Sequence, residues 1–205
     1  MIQGSEEWHK ARLGKVTASR LKDVMAKTKS GPSSSRKNYM MELLCQRLSG
    51  NKKEGFNSSS MQRGTELEPT ARKAYSFISN NDVVECSLID HPTIIGFAAS
   101  PDGLVGDSGL IEIKCPNTAT HVEFLKHGKP KREYILQMHA QMLCTDRKWC
   151  DFVSYDDRLE GLEYKCVRVE YDAELGREIL KEVASFLVDL DKDIEAIKTL
   201  KSEQQ

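Results

Sequence analysis

A mixed α/β fold, with a central mixed β-sheet flanked by helices, is predicted by three features of the 205-residue chain. The first third carries apolar residues at helical spacing. The middle changes to short segments rich in β-branched residues and separated by turn formers. The final stretch carries a long apolar stripe of helical period.

In order, a Thr/Ser start predicts a helix from Thr17 to Ala26, and Ser30-Gly31-Pro32-Ser33-Ser34-Ser35 reads as a loop. Tyr39, Met40, Leu43, Leu44 and Leu48 recur helically before Gly50, and a second loop is expected at Asn57-Ser58-Ser59-Ser60. Leu67, Ala71, Ala74, Tyr75 and Ile78 share one face of a third helix, ended by Asn80-Asn81. Val83 to Ile89, Ile94 to Ser100 and Leu110 to Lys114 read as strands, parted by Asp90-His91-Pro92 and Gly106-Asp107-Ser108-Gly109. A helix from about Glu133 to Cys144 precedes two strands, Trp149 to Tyr155 and Leu162 to Val169. The last helix begins near Asp172, with Leu175, Ile179, Val183, Phe186, Leu190, Ile194 and Ile197 on its packed face. Without a repeat or a linker, residues 1–205 are expected to form a single domain.

Composition bounds the function. The 39% apolar content suffices for a core, no run approaches the length of a membrane span, and Met1-Ile2-Gln3-Gly4-Ser5-Glu6-Glu7 lacks a signal-peptide pattern. A soluble cytoplasmic protein is therefore expected. Cys45, Cys86, Cys115, Cys144, Cys150 and Cys166 form no C-x-x-C pair, so buried free thiols are expected rather than zinc or redox chemistry. Thirty Lys+Arg against 31 Asp+Glu leave a net charge of -1, so any contact with DNA must use a local basic surface. One candidate is Lys126, Lys129, Lys131 and Arg132, in a loop with Gly128 and Pro130, although such runs are usually just solvated.

The chemistry lies in Ser100-Pro101-Asp102-Gly103 and Leu110-Ile111-Glu112-Ile113-Lys114-Cys115-Pro116. Alternation along a strand puts Glu112 and Lys114 on one face while Ile111 and Ile113 bury on the other. A turn through Gly106 to Gly109 folds Asp102 back towards Glu112. Two adjacent carboxylates repel unless a cation lies between them, and hard oxygen donors suit Mg²⁺ or Mn²⁺. Lys114 is then placed to orient water or to stabilise charge on a phosphate. An isolated E-x-K reads as an exposed pair on a wet sheet face; the full order D-x₉-E-x-K, framed by apolar residues, is rarer and favours catalysis.

That arrangement resembles the PD-(D/E)XK nucleases. Trp8-His9-Lys10-Ala11-Arg12-Leu13-Gly14, Thr17-Ala18-Ser19, Gly64 through Glu68 with Ala71-Arg72, and Asp151-Phe152-Val153-Ser154-Tyr155-Asp156 resemble the lambda exonuclease or YqaJ-like viral recombinase family, in the family's order from about Trp8 to Glu182. The resemblance implies a restriction-endonuclease-like core and a Mg²⁺- or Mn²⁺-dependent 5′ to 3′ exonuclease that digests one strand of linear duplex DNA. It also implies a toroidal homotrimer, a single-strand annealing partner in recombination, and a phage or prophage origin in a bacterial host. Position by position, it makes Asp102 and Glu112 metal ligands, completed by the Ile113 carbonyl, and Lys114 the catalytic lysine. It adds Glu68 and Gln137 to the active site and assigns Arg12, Ser19 and Ser100 to the 5′-phosphate.

The residues alone leave other readings beside these. Thr65-Glu66-Leu67-Glu68 also reads as a capping box, with Glu68 paired to Arg72. Ser19 also reads as an N-cap and Arg12 as a surface charge. Tyr134, Gln137 and Gln141 form a polar helical stripe; His139 departs from lambda exonuclease, which has glutamine there, so a site role for it stays open beside the plain reading of a solvent-facing helix residue. Trp8 either stacks on a base or anchors its helix to the core. Competing functions are an endonuclease on the same core and a noncatalytic DNA-end binding protein. The cysteine spacing does not supply an iron–sulfur cluster.

Overall fold

In the computed structural model, which describes residues 1–29, 31–51 and 59–202, the first helix is α1 (Glu6–Arg12), whose Ser5 cap accepts from the Trp8 amide at 3.2 Å. The expected helix from Thr17 is delayed. Val16 and Thr17 are buried as β1 (Val16–Thr17), followed by a 3₁₀ turn (Ala18–Arg20) and α2 (Leu21–Met25). The Ser30 to Ser35 loop is largely replaced by structure: β2 (Lys27–Thr28) pairs antiparallel with β3 (Gly31–Pro32), and α3 (Ser34–Ser49) starts at once because the Ser33 hydroxyl caps the Arg36 amide. Ser30 itself lies outside the described residues. Gly50, at φ 70°, ends α3 in the left-handed region that glycine tolerates.

Helix α4 (Ser59–Ser79) takes Ser59 and Ser60 from the second expected loop, while Asn57 and Ser58 lie outside the described residues. Thr65 therefore sits inside a helix and cannot open one, which removes the capping-box reading. Ala71 and Tyr75 are buried as expected, but Ile78 is 58% exposed. The expected strand from Val83 to Ile89 splits between two sheets. Its start, β4 (Val83–Val84), joins one sheet and its end, β5 (Ile89–Asp90), joins another. After β6 (Phe97–Ala99), a strand that the turn-like Asp102-Gly103 concealed, β7 (Gly103–Val105), leads into β8 (Gly109–Lys114).

A further unexpected element, α5 (Thr118–His127), is capped by Asn117 and stopped by Gly128 at φ 61°. It absorbs Lys126 from the expected basic loop, and α6 (Arg132–Thr145) absorbs Arg132. The rest follows expectation: β9 (Trp149–Tyr155), β10 (Tyr164–Glu170) and α7 (Ala173–Ser202), which the Asp172 carboxylate caps through the Glu174 and Leu175 amides. Ile197 alone departs from the packed stripe of α7, at 39% exposed.

The larger sheet has the order β10-β9-β8-β7-β4, in which β8 and β9 are parallel and the other pairs antiparallel. A smaller sheet has β1 parallel and β5 antiparallel to β6. The parallel centre is covered on both sides, as such pairs require. On one face Ile111, Ile113 and Val153 pack with Ala71 and Tyr75 of α4. On the other, Leu110 and Phe152 pack with Phe124 of α5 and Met138 and Met142 of α6. A third apolar cluster joins α2, α3, α6 and α7 around Leu21, Tyr39, Phe97 and Phe186. No helix among the described residues is long and apolar enough to cross a membrane. Of the thiols, Cys144 and Cys150 are buried as expected, but Cys45 is exposed.

Gly109 pins the register of β8 against β9, because a Cβ there would lie 2.1 Å from the Trp149 ring, itself held under the Arg168 guanidinium at 3.5 Å. Gly109→Ala is expected to destabilise the fold by about 1–3 kcal/mol through overpacking. A denaturation midpoint unchanged from wild type would contradict this packing role.

Candidate active site

The β7–β8 hairpin brings the motif residues together. Arg147 clamps its turn by donating from Nη1 to the carbonyls of Gly106 and Gly109 at 2.8 and 2.7 Å. Asp102, at the foot of β7, then meets β8, where its Oδ2 accepts from the Ile113 amide at 2.6 Å. Glu112 has no solvent exposure. Its Oε1 accepts from Gln137 Nε2 at 2.7 Å and pairs with the Lys114 ammonium, and its Oε2 accepts from Gln141 Nε2 at 2.6 Å. Lys114 lies 5.5 Å from the centre of the Tyr134 ring, which stacks on Phe152. The polar stripe of α6 thus points inward. Gln137 was singled out from sequence, but Gln141 was not given a site role; its i, i+4 spacing from Gln137 was the available signal.

Glu68 projects from α4 and pairs with Arg72 at 2.5 Å, one turn on. Arg72 also donates to the Asp102 carbonyl at 3.2 Å and pairs with Glu85 at 2.9 Å, so it ties α4 to the hairpin. Sequence reading placed Arg72 beside Glu68 but missed this tie, which depends on a contact 30 residues away.

The electrostatics are those of an acidic cluster short of positive charge. Burial, and then the negative charge of Glu112, push the Asp102 carboxyl well above the usual carboxylate range, against the opposing pull of Lys114. Burial also raises Glu68, although Arg72 opposes the shift. Lys114 is half-buried, and the loss of solvent works against its charge, but Glu112 and Asp102 outweigh this and hold it above the usual lysine range. Among the described residues, no three His, Cys, Asp or Glu side chains gather closely enough to hold an ion as they stand. The donors nevertheless fit a hard divalent cation: two carboxylates on one hairpin, with a third on α4, whose mutual repulsion an added positive charge would relieve.

The other candidates form a second group around α1. Arg12 donates to Ser100 Oγ at 3.4 Å and to Ser19 Oγ at 3.3 Å. Its guanidinium lies 4.1 Å from the centre of the Trp8 ring, and Trp8 Nε1 donates to Ser100 Oγ at 3.0 Å. Trp8 therefore anchors α1 and flattens Arg12 against it. Arg12, Ser19, Lys15 and Arg20 line a cavity of about 320 Å³. Glu42 lines the same cavity; Ser100, held by Arg12 and Trp8, stands two residues before Asp102, so the Arg12 group and the acidic hairpin share one stretch of chain.

His139 is not at the surface, contrary to expectation. It is 2% exposed, with Nδ1–H donating to the Ile135 carbonyl at 2.8 Å and Nε2 accepting from the Asp172 amide at 3.1 Å. It joins α6 to the start of α7 and takes no part in either group.

Because Asp102 has a raised pKa in the folded protein, its ionisation costs stability once pH exceeds the ordinary carboxylate value, and the cost is full above the raised one. Asp102→Asn keeps an acceptor for the Ile113 amide while removing the charge. In metal-free solution at neutral pH it is expected to raise the melting temperature, by about 2–4 °C for each 1 kcal/mol of repulsion relieved. The gain should vanish near pH 3, where Asp102 is protonated in both states. A neutral-pH melting temperature lowered by Asp102→Asn would contradict the described electrostatics.

A model of the YqaJ-like viral recombinase domain matches residues 7–148. The structure is similar to that of LHK-Exo, an alkaline exonuclease from Laribacter hongkongensis, with a TM-score of 0.93 and 57% identity over 98% of this chain and 100% of that one. A second structure of that exonuclease, in complex with dAMP, matches equally. A phage-related exonuclease from Haemophilus somnus 129PT shares the fold, with a TM-score of 0.70 and 19% identity over 89% of this chain and 96% of that one. No curated protein matches the chain.

Proposed function

The chain belongs to the YqaJ-like viral recombinase family, and from that premise we propose that it is a Mg²⁺- or Mn²⁺-dependent exonuclease that digests one strand of linear duplex DNA from the 5′ end. The observation that supports the direction is the grouping of Arg12 with the hydroxyls of Ser19 and Ser100, beside a cavity lined by Arg12, Lys15, Ser19 and Arg20 together with Glu42; Ser100 stands two residues before Asp102. Exonuclease action is supported by the likeness to an alkaline exonuclease that has also been seen with dAMP, a deoxynucleoside monophosphate.

The roles follow from chemistry. Arg12 offers a planar fork of donors to a terminal phosphate, and the hydroxyls of Ser19 and Ser100 extend it. Asp102 and Glu112, with the Ile113 carbonyl and Glu68, would hold the divalent ion. When bound, that ion supplies positive charge to the phosphate and activates water for attack. Gln137 and Gln141 hold both oxygens of Glu112, and Lys114, fully charged, is placed to donate to an oxygen of the scissile phosphate. A 3′ single strand left by this digestion is the substrate of strand annealing, and a single-strand annealing protein is the proposed partner. A homotrimer belongs to the same reading and is supported by the family resemblance; light scattering tests it, and a monomer at working concentration would contradict it.

Asp102→Asn and Glu112→Gln are expected to abolish cleavage together with metal binding. Lys114→Ala should abolish cleavage while calorimetry still finds the metal. Full turnover in EDTA would exclude the metal-dependent reading.

Wild-type protein should prefer 5′-phosphorylated ends to hydroxyl ends. Arg12→Ala should slow digestion of phosphorylated ends by about ten- to a hundredfold, the worth of one charge-assisted contact, and affect hydroxyl ends far less. Equal slowing on both would assign Arg12 to structure or general affinity. Cutting of closed circular duplex would favour an endonuclease, and DNA-end binding without cleavage a noncatalytic protein.

A further inference from the structure

At the end of β8, Lys114 and residues of α5, α6 and β9 line a second cavity of about 110 Å³. Its floor is aromatic. The Tyr134 and Phe152 rings stack with centres 5.3 Å apart, and Phe124 meets Phe152 edge-on at 5.1 Å. Pro116 and Pro130 close the sides, and Thr120 reaches in from the first turn of α5.

The buried polar group in this wall, the Ser154 hydroxyl, is already satisfied by His121 behind it. His121 Nε2 lies 2.8 Å from the Leu162 carbonyl and so carries the proton, which leaves Nδ1 to accept from the Ser154 hydroxyl at 2.7 Å. Nothing here requires water or a polar ligand atom. The rim differs in character, since Lys114, Lys129 and Lys131 stand there against one carboxylate, Glu123. Among the described residues, neither Lys129 nor Lys131 has an acidic partner, whereas Lys22 and Lys27 pair with Glu133 and Glu182.

An aromatic slot with a cationic rim is complementary to a flat heteroaromatic ring attached to phosphate. An aliphatic chain would leave the lysines unused. Position narrows the choice, because Lys114, Pro116 and Tyr134 line both this slot and the adjoining cleft that contains Glu68 and Ile113. A strand with its phosphate at Lys114 has a neighbouring base within reach of the slot.

We propose that this slot binds one nucleobase of the digested strand, flanking the scissile phosphate, with Lys129 and Lys131 holding the backbone beside it. The inference rests on the nuclease reading and adds a subsite to it. Base stacking of this kind tolerates any sequence, as exonucleolytic digestion requires.

The test uses 5′-phosphorylated duplexes with a single abasic residue at the first, second or third nucleotide of the digested strand, with wild-type protein and Thr120→Trp. Tryptophan at this half-buried helix position fills the slot from a residue that lies outside the acidic hairpin and the Arg12 cavity. Wild-type protein should be slowed about tenfold at one abasic position and little at the others, the loss of one stacked base. Thr120→Trp should digest intact DNA about tenfold more slowly and show no further slowing at that position, since the two losses are of the same contact. Lys131→Ala should weaken binding to intact oligonucleotides and lessen its salt dependence.

Thr120→Trp with wild-type rates on intact DNA, or with the abasic effect undiminished, would overturn the proposal. If the wild type digests no duplex at all, the nuclease reading itself fails. Fluorescence anisotropy of labelled oligonucleotides in EDTA then decides the slot separately: weaker binding by Thr120→Trp supports it, and equal binding overturns it.

Discussion

A carboxylate with no contact with water is held at the centre of this protein. Taking such a charge out of water costs several kcal/mol unless the interior returns equivalent interactions. Glu112 receives them from three directions: Gln137 and Gln141 from α6, and Lys114 from its own strand. Much of the fold follows from meeting this demand. Helix α6 must lie across β8 with its polar stripe inward, β8 must keep its register beside β9 so that α6 can pack on Phe152, and His139 and Asp172 fix where α6 meets the last helix.

Asp102 is treated differently. It has one backbone donor, and burial together with the repulsion of Glu112 leaves its charge poorly compensated. Arg72 moderates the cluster from α4, but its charge is shared among Glu68, Glu85 and the Asp102 carbonyl. The site therefore stores unfavourable electrostatic energy that a divalent cation would release. Beside it, Arg12 is pinned flat by Trp8 and presented with two hydroxyls, so little conformational freedom remains to be lost when an anion binds.

What could be read from sequence divides along one line. Features governed by neighbours in the chain were legible: the alternation along β8, the turn between Asp102 and Glu112, the stripe of α7, the end of α3 at Gly50. Features governed by distant partners were not. Gly103 resembles a turn residue, yet it pairs with Ile111 in the sheet, and glycine is needed there because Val83 and Ile111 leave no room for a Cβ. The segment from Val83 to Ile89 has uniform strand character, and only the two sheets that claim its ends divide it. Helix α5 carried its own signals, Asn117 before it and Gly128 after it, but only its basic end was read, as part of a loop with Gly128 and Pro130. His139 and Gln141 look like solvent-facing polar residues until Asp172 and Glu112 are brought to them. The acidic hairpin and the Arg12 group could be listed from the chain; the slot beyond Lys114 could not, because it needs α5.

The central claim is that Asp102 is a carboxyl of raised pKa whose repulsion with Glu112 awaits a cation. Calorimetric titration of the metal-free protein with Mn²⁺, in buffers of different ionisation enthalpy between pH 5 and 8, tests it most directly. The account predicts binding with release of protons, growing as pH is lowered towards the raised pKa and strongly reduced in Asp102→Asn. Binding without proton release at any pH, or proton release unchanged in Asp102→Asn, would contradict it.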